Sequence, residues 1–264
     1  MQITFLGGVR TVTGSSFLLE DHSTRFLIDC GMFQGNKEIE RRNQTFGFDP
    51  RSIQYVLLTH AHIDHSGLIP KLVKEGFRGK ILCTKATYEL CRIMLTDSAH
   101  IQEMEAEWKS RKNIRSGLKP VEPLYTVKDA EESLKFFQPT EADQCLRIGP
   151  DMEICFHKAG HILGASFLSL VFEEKGLMGK AVFSGDVGRR EALIVPEPDI
   201  IEEADFLFVE STYGNREHKS FEESKAELLA AILEGIKNGE KIIMPAFAVE
   251  RTQELLYLLY EFRK

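Results

Sequence analysis

The sequence predicts a layered α/β (α+β) domain of stacked sheets and helices, on three observations. Short β-branched and apolar runs, punctuated by Gly7-Gly8, Gly14 and Gly31, fill the chain up to about residue 60. Helical periodicity then takes over, and strand-like runs return from Met152 onward. At the junction of the first two textures, chemistry-bearing side chains crowd into one loop.

Taken in order, the predicted strands are Ile3–Leu6, Ser16–Glu20, Arg25–Asp29 and Ile53–Leu58, each a short run rich in Ile, Val, Leu and Phe. Apolar spacing of three and four residues predicts helices over Ser66–Glu75, Lys85–Lys109 and Val127–Leu134. Further strands are expected at Met152–His157, Phe167–Phe172, Ala181–Ser184 and Phe206–Glu210. Proline and glycine mark loops at Asn113–Thr126 and Gly188–Asp199. After Glu210 the texture becomes helix (Phe221–Lys237), strand (Lys241–Met244) and helix (Val249–Phe262), which reads as the start of another α/β domain. The chain stops at Lys264 with no strand to follow, so a C-terminal truncation is expected.

Size and composition set the outer limits. With 264 residues and 43% hydrophobic content the chain can bury a large core. No apolar run approaches the roughly eighteen residues that span a bilayer, and Met1-Gln2-Ile3-Thr4-Phe5 starts a strand rather than a signal peptide. A soluble, cytoplasmic protein with no membrane partner is expected. The five cysteines, Cys30, Cys83, Cys91, Cys145 and Cys155, are odd in number and form no CxxC pair. That pattern suits a reducing compartment and mostly buried core thiols. A net charge of −7 does not by itself suggest a nucleic-acid binder. Locally, Lys109, Arg111, Lys112, Arg115 and Lys119 follow Trp108 with no acid among them, a stretch that also reads as a solvated loop after a helix. Bound divalent ions would add positive charge where a phosphate must sit, so the acidic total is no veto.

The chemistry centres on His60-Ala61-His62-Ile63-Asp64-His65, an HxHxDH cluster between a strand and a helix. Neutral imidazole nitrogens and carboxylate oxygens are the ligands that zinc and similar cations accept, and a strand end holds them near their final geometry. Four ligands from one loop cannot all reach one tetrahedral ion without strain. Two ions can share them if other strands contribute. His161, in Ala159-Gly160-His161-Ile162-Leu163-Gly164, follows a strand and is flanked by glycines. Asp186, in Ser184-Gly185-Asp186, also ends a strand and can bridge two cations. Asp29, ending Phe26-Leu27-Ile28-Asp29, is placed either to orient a ligand imidazole through its second nitrogen or simply to form the turn before Gly31.

HxHxDH after a strand, then Gly-His161 and Ser-Gly-Asp186 in that order, resembles the metallo-β-lactamase fold, a four-layer αββα sandwich with a dinuclear zinc site. The runs Phe208–His218 and Pro245–Glu254 are similar to the first motif and early core of the β-CASP cap inserted in some members, among them ribonuclease J and the endonuclease subunit of the cleavage and polyadenylation factor. The resemblance implies a metallo-β-lactamase domain over residues 1–210 and a partial β-CASP cap over 211–264. It implies two zinc ions: His60, His62 and His161 on the first, Asp64 and His65 on the second, Asp186 between them and Asp29 in support. Glu210 would partner a later histidine, and another late histidine would complete the second site. The last histidine in this sequence is His218, which closes the Ser-Thr-Tyr-Gly motif and is not counted as a ligand.

The function so implied is hydrolysis of single-stranded RNA, endonucleolytic or 5′–3′ exonucleolytic, by a hydroxide bridging the two metals. Asp64 would orient the water or take its proton, and Glu210 would help protonate the leaving oxygen. Single-stranded RNA and, as a homodimer, a second copy of the chain are the expected partners. Two rivals stand beside this: a small-molecule hydrolase of glyoxalase II or lactonase type, and a non-catalytic RNA-processing subunit. The segment from Glu210 to Arg251 speaks against the first.

Overall fold

Alternation of side chains across paired strands decides the architecture of the protein, seen in a computed structural model that describes every residue except 22, 23, 142, 143, 191 and 264. In chain order the elements are β1 (Gln2–Gly7), β2 (Ser16–Glu20), β3 (Arg25–Ile28), α1 (Lys37–Glu40), β4 (Tyr55–Leu57), α2 (Ile63–Ser66), α3 (Ile69–Lys74), β5 (Lys80–Thr84), α4 (Lys85–Arg115) and α5 (Val127–Ser133). Then come β6 (Phe137–Thr140), β7 (Cys145–Arg147), β8 (Met152–Lys158), β9 (Ser166–Glu174), β10 (Leu177–Phe183), β11 (Phe206–Phe208), α6 (Phe221–Asn238) and α7 (Arg251–Phe262).

The strands form two sheets, ordered β1-β2-β3-β4-β5-β6 and β11-β10-β9-β8-β7. In the first, β1 to β3 pair antiparallel and β3 to β6 run parallel. In the second, only the β10–β11 pair is parallel. Strand β8 shows the pleat cleanly, because Met152, Ile154 and Phe156 join a core with Phe26, Ile28, Leu57 and Leu82 of the first sheet. The opposite faces of β3 to β5, through Leu27, Val56, Ile81 and Cys83, pack on Ile69, Leu72, Cys91, Leu95 and Ala130 of the helices. Strands β3 to β5 are buried on both faces, which explains their continuous apolar runs.

The expected αββα order is met in three layers, helices on sheet on sheet. Among the described residues no helix packs at length on the outer face of the second sheet. Nor is any helix long and apolar enough to cross a membrane.

Several elements differ from expectation. The helix predicted over Ser66–Glu75 is two short ones, α2 beginning at Ile63 and α3 beginning at Ile69, split around Gly67. Helix α4, expected to end at Lys109, continues to Arg115, because no glycine intervenes before Gly117. Strands β5, β6 and β7 were not foreseen. Strand β6 tolerates Pro139 because it lies at the sheet edge, where a missing N–H is cheap. The strand expected at Lys241–Met244 forms no ladder among the described residues, and an apolar run without a hydrogen-bonding neighbour is only extended chain. The cysteines also need correction. Cys30, Cys83 and Cys91 are buried free thiols, but Cys145 and Cys155 face each other across β7 and β8 and are joined in a disulfide.

Candidate metal centre

All the singled-out acids and imidazoles of the first 186 residues meet at one end of the two sheets, where β3, β4, β8 and β10 reach their carboxyl ends. Past β4 the chain runs through Thr59 and His60, both fully buried. His62 then opens α2, whose single turn carries Asp64 and His65. His161 lies on the loop joining β8 to β9 and Asp186 three residues beyond β10. Tight backbone approach holds these loops together. The Gly188 N–H donates to the Ala159 carbonyl at 2.8 Å, and a Cβ on Gly188 would fall 1.6 Å from the Gly160 carbonyl oxygen. On the other side, a Cβ on Gly31 would fall 1.7 Å from the Asp64 carbonyl oxygen.

The ligand atoms converge as a tetrahedral cation requires. His62 Nδ1 lies 3.1 Å from both His60 Nε2 and His161 Nε2. Asp186 Oδ2 is 3.6 Å from His60 Nε2 and 3.3 Å from His161 Nε2. Bonds of about 2.0–2.1 Å to zinc put neighbouring ligand atoms roughly 3.3–3.4 Å apart, which these separations bracket. Imidazole lone pairs crowded this closely repel unless a proton or a cation stands between them, and a single proton on His62 Nδ1 can serve only one of its two neighbours well. The donor set therefore fits a metal. The other oxygen of the same carboxylate, Asp186 Oδ1, sits 3.1 Å from His65 Nε2, and Asp64 Oδ2 lies 3.9 Å from that nitrogen. One carboxylate thus faces two clusters.

Hydrogen bonds fix the tautomers. Asp29, fully buried and held at a φ of 59°, accepts from His65 Nδ1 at 2.6 Å through Oδ2. Its Oδ1 accepts from the Thr59 N–H at 2.9 Å, and the Thr59 hydroxyl lies 3.0 Å from the same oxygen. Once that hydroxyl donates to Asp29, it can only accept from His60 Nδ1, 3.0 Å away. His60 then carries its proton on Nδ1 and turns a bare Nε2 toward the cluster, while His65, held through Nδ1 by Asp29, turns its Nε2 toward Asp186 Oδ1. Ser15 Oγ adds a longer bond to Asp29 Oδ2 at 3.3 Å. Thr59 and Ser15 had not been singled out in the sequence. The only signal was a hydroxyl residue directly before the HxHxDH run.

Charge states divide the site. Burial, reinforced by His65 and the other imidazoles, holds His60 well below the usual histidine range. Burial and the nearby His161 bring His62 down to about 4. Burial also lowers His161, against the pull of Asp186. These three are neutral at pH 7, the form that ligates a metal. For His65 burial likewise opposes the charge, but Asp29 and Asp186 outweigh it and hold the group well above its ordinary value. Asp64 is pushed up by burial, with His65 opposing, whereas Asp186 is lowered because its bond to His65 overcomes its burial.

Glu210 follows β11 and braces the Asp186 loop. Its Oε1 accepts the Val187 N–H at 2.8 Å, and its own N–H donates to Ser184 Oγ at 3.0 Å. His218 packs edge-on against Tyr213, with ring centres 4.8 Å apart.

Residues 9–234 match the metallo-beta-lactamase superfamily. The chain belongs to it. Among curated relatives, it is 40% identical over 260 residues to ribonuclease TTHA0252 of Thermus thermophilus, an alignment covering 98% of this chain and 55% of that one. It is 31% identical over 271 residues to the transcription termination factor FttA of Methanocaldococcus jannaschii, covering 99% of this chain and 39% of the relative. With FttA of Methanococcus maripaludis the identity is 32% over 270 residues, with 99% and 39% covered. This superfamily member thus spans about half, or less, of the length of the curated relatives it matches.

Proposed function

We propose that this chain is the metal-binding part of a zinc-dependent ribonuclease of the β-CASP group that cleaves single-stranded RNA. The observation that carries the reading is the Asp186 carboxylate placed between two clusters, in a chain 40% identical to a protein named as a ribonuclease. In this reading residues 1–210 form the metal-binding domain and 211–264 the beginning of the cap. His60, His62 and His161 would hold a first zinc, Asp64 and His65 would serve a second, and the Asp186 carboxylate, which faces both groups of side chains, would serve the two.

Two such cations, when bound, acidify water and screen the charge of a phosphodiester. The rest falls to the protein. Asp64, half-buried beside His65, orients the attacking water and takes its proton on a carboxylate oxygen. Asp29 and Thr59 keep His65 and His60 turned toward the cluster. Glu210 holds the Asp186 loop and is assigned to the leaving oxygen, together with a partner supplied by the rest of the full-length protein. A cytoplasmic location follows from an RNA substrate, and there the Cys145–Cys155 bond would be open to reduction.

The test is zinc analysis with a labelled single-stranded RNA assay, comparing wild type and Asp64→Ala in a full-length protein. Asp64→Ala should lower the cleavage rate by about 10²–10⁴-fold. Equal cleavage by both would overturn the assignment. In the 264-residue chain one zinc should be held tightly and the second below full occupancy, since only Asp64, His65 and Asp186 serve it.

A further inference from the structure

Helix α4 spans 31 residues and uses only one of its faces in the core. Cys91, Leu95, Ala99 and Ala106 are buried. On the opposite side Ile93 is 69% exposed, Ile101 49%, Met104 58% and Trp108 63%. With Asp97, Arg111 and Arg115, also exposed, these residues recur every three or four positions and so form one straight stripe. The stripe is roughly 33 Å long at 1.5 Å per residue. Among the described residues the one group recorded over it is the Lys112 ammonium, 5.9 Å from the centre of the Trp108 ring. The turn after the helix packs elsewhere, through Ser110 and Asn113 to Val121 and Lys119.

The order of residues along the stripe is symmetric about Met104. Residues equally far before and after it are Ile93 and Arg115, then Asp97 and Arg111, while Ile101 and Trp108 match to within one position. Two such helices laid antiparallel would therefore set Asp97 of each against Arg111 of the other, Met104 against itself, and Ile101 beside Trp108. Ile93 would lie under the aliphatic stem of Arg115. Glu103 and Glu105 diverge to opposite flanks, at least about 80° from the centre of the stripe at 100° per residue, and so stay clear of the seam. Asp97 makes no ion pair among the described residues, and Arg111 has only the exposed intrahelical Glu107, a contact worth little.

We propose that α4 pairs antiparallel with α4 of a second copy of this chain, about a two-fold axis at Met104. Seven such side chains on each helix would remove roughly 1,000 Å² from water, about the lower limit for a specific interface. The two Asp97–Arg111 pairs would fix the register, the established use of charged residues in a helical seam. Nucleic acid is the weaker occupant. Helix α4 starts beside the His161 loop, where Thr84 Oγ1 donates to the Gly164 carbonyl at 2.7 Å, so its basic end lies about 45 Å along the axis from the metal cluster. In the dimer the two clusters would stand roughly 60 Å apart along the helices, both mouths open.

The test is sedimentation equilibrium of the 264-residue chain and its variants, all substituted at exposed positions and checked for unchanged circular dichroism and zinc content. Wild type should dimerise at micromolar concentration, and Met104→Lys should be monomeric. Asp97→Arg alone and Arg111→Asp alone should each weaken the dimer at least about tenfold, because each homodimer then holds two like-charged pairs. An equimolar mixture of those two variants should form a heterodimer within about threefold of wild-type affinity, because both pairs are then complementary. Met104→Cys should give a disulfide-linked dimer on mild oxidation. A wild-type monomer at 100 µM, a dimer indifferent to Met104→Lys, or a mixture no tighter than its components would overturn the proposal. So would a monomeric chain whose binding to a uridine 20-mer is lost in Trp108→Ala, which would make the stripe an RNA face.

Discussion

The two sides of the Asp186 carboxylate are built on different principles. On one side three imidazoles from two different sheets are kept neutral by burial and aimed at one point. On the other, His65 is drawn toward the protonated form by Asp29 and Asp186, and Asp64 stands 3.9 Å from it. The first side is ready for a cation as it stands. The second, on the proposed assignment, would have to exchange a proton for one, with an occupancy set by how firmly Asp29 holds the ring. The difference teaches that one shared carboxylate does not make two equivalent sites.

Substitutions can break that contrast in graded steps. On the proposed assignment, His62→Ala removes the imidazole nearest the centre of the trio and should cost at least about a hundredfold in affinity for the first zinc, read by competition with a chelating dye. If zinc remains tight, the trio is not the stronger side. Asp29→Asn keeps a residue that tolerates the positive φ but withdraws the charge facing His65. It should weaken only the weaker-bound zinc, by about 10–100-fold, in the same titration. Loss of both ions together would erase the distinction. Thr59→Val strips the hydroxyl that His60 Nδ1 and Asp29 share, leaving a buried ring N–H unpaired. About tenfold weaker first-site binding and roughly 1–3 kcal/mol of stability should go, measured by dye competition and urea unfolding. Glu210→Gln should change least. Its amide oxygen can still accept the Val187 N–H, so zinc content should stay as in wild type, and a drop would place Glu210 in the metal-holding frame itself.

How far the sequence revealed this site depended on chemistry and spacing. HxHxDH announces itself because imidazoles are rare and three of them fall within six consecutive positions, and His161 and Asp186 were readable from glycines beside strand ends. Thr59 was not, since a threonine at the end of a strand is ordinary and its role exists only once Asp29 has been brought thirty residues back to meet it. Register hides information in the same way. Cys145 and Cys155 look unrelated until β7 and β8 pair them. Strand β5 lay unseen because Ile81-Leu82-Cys83 is too short a run to stand out before a 31-residue helix. The opposite error came at Lys241–Met244, where β propensity was present but no neighbouring strand was.

Gly31 and Gly188 set a practical boundary on re-engineering the cluster. Each would place a methyl group within 1.7 Å of a backbone carbonyl oxygen that cannot step aside, Asp64 in one case and Gly160 in the other. A library that randomises ligands to admit a different cation has to hold both positions invariant. In a saturation scan they should score as dead as the histidines, and a reader of those scores alone would mistake two spacers for chemistry.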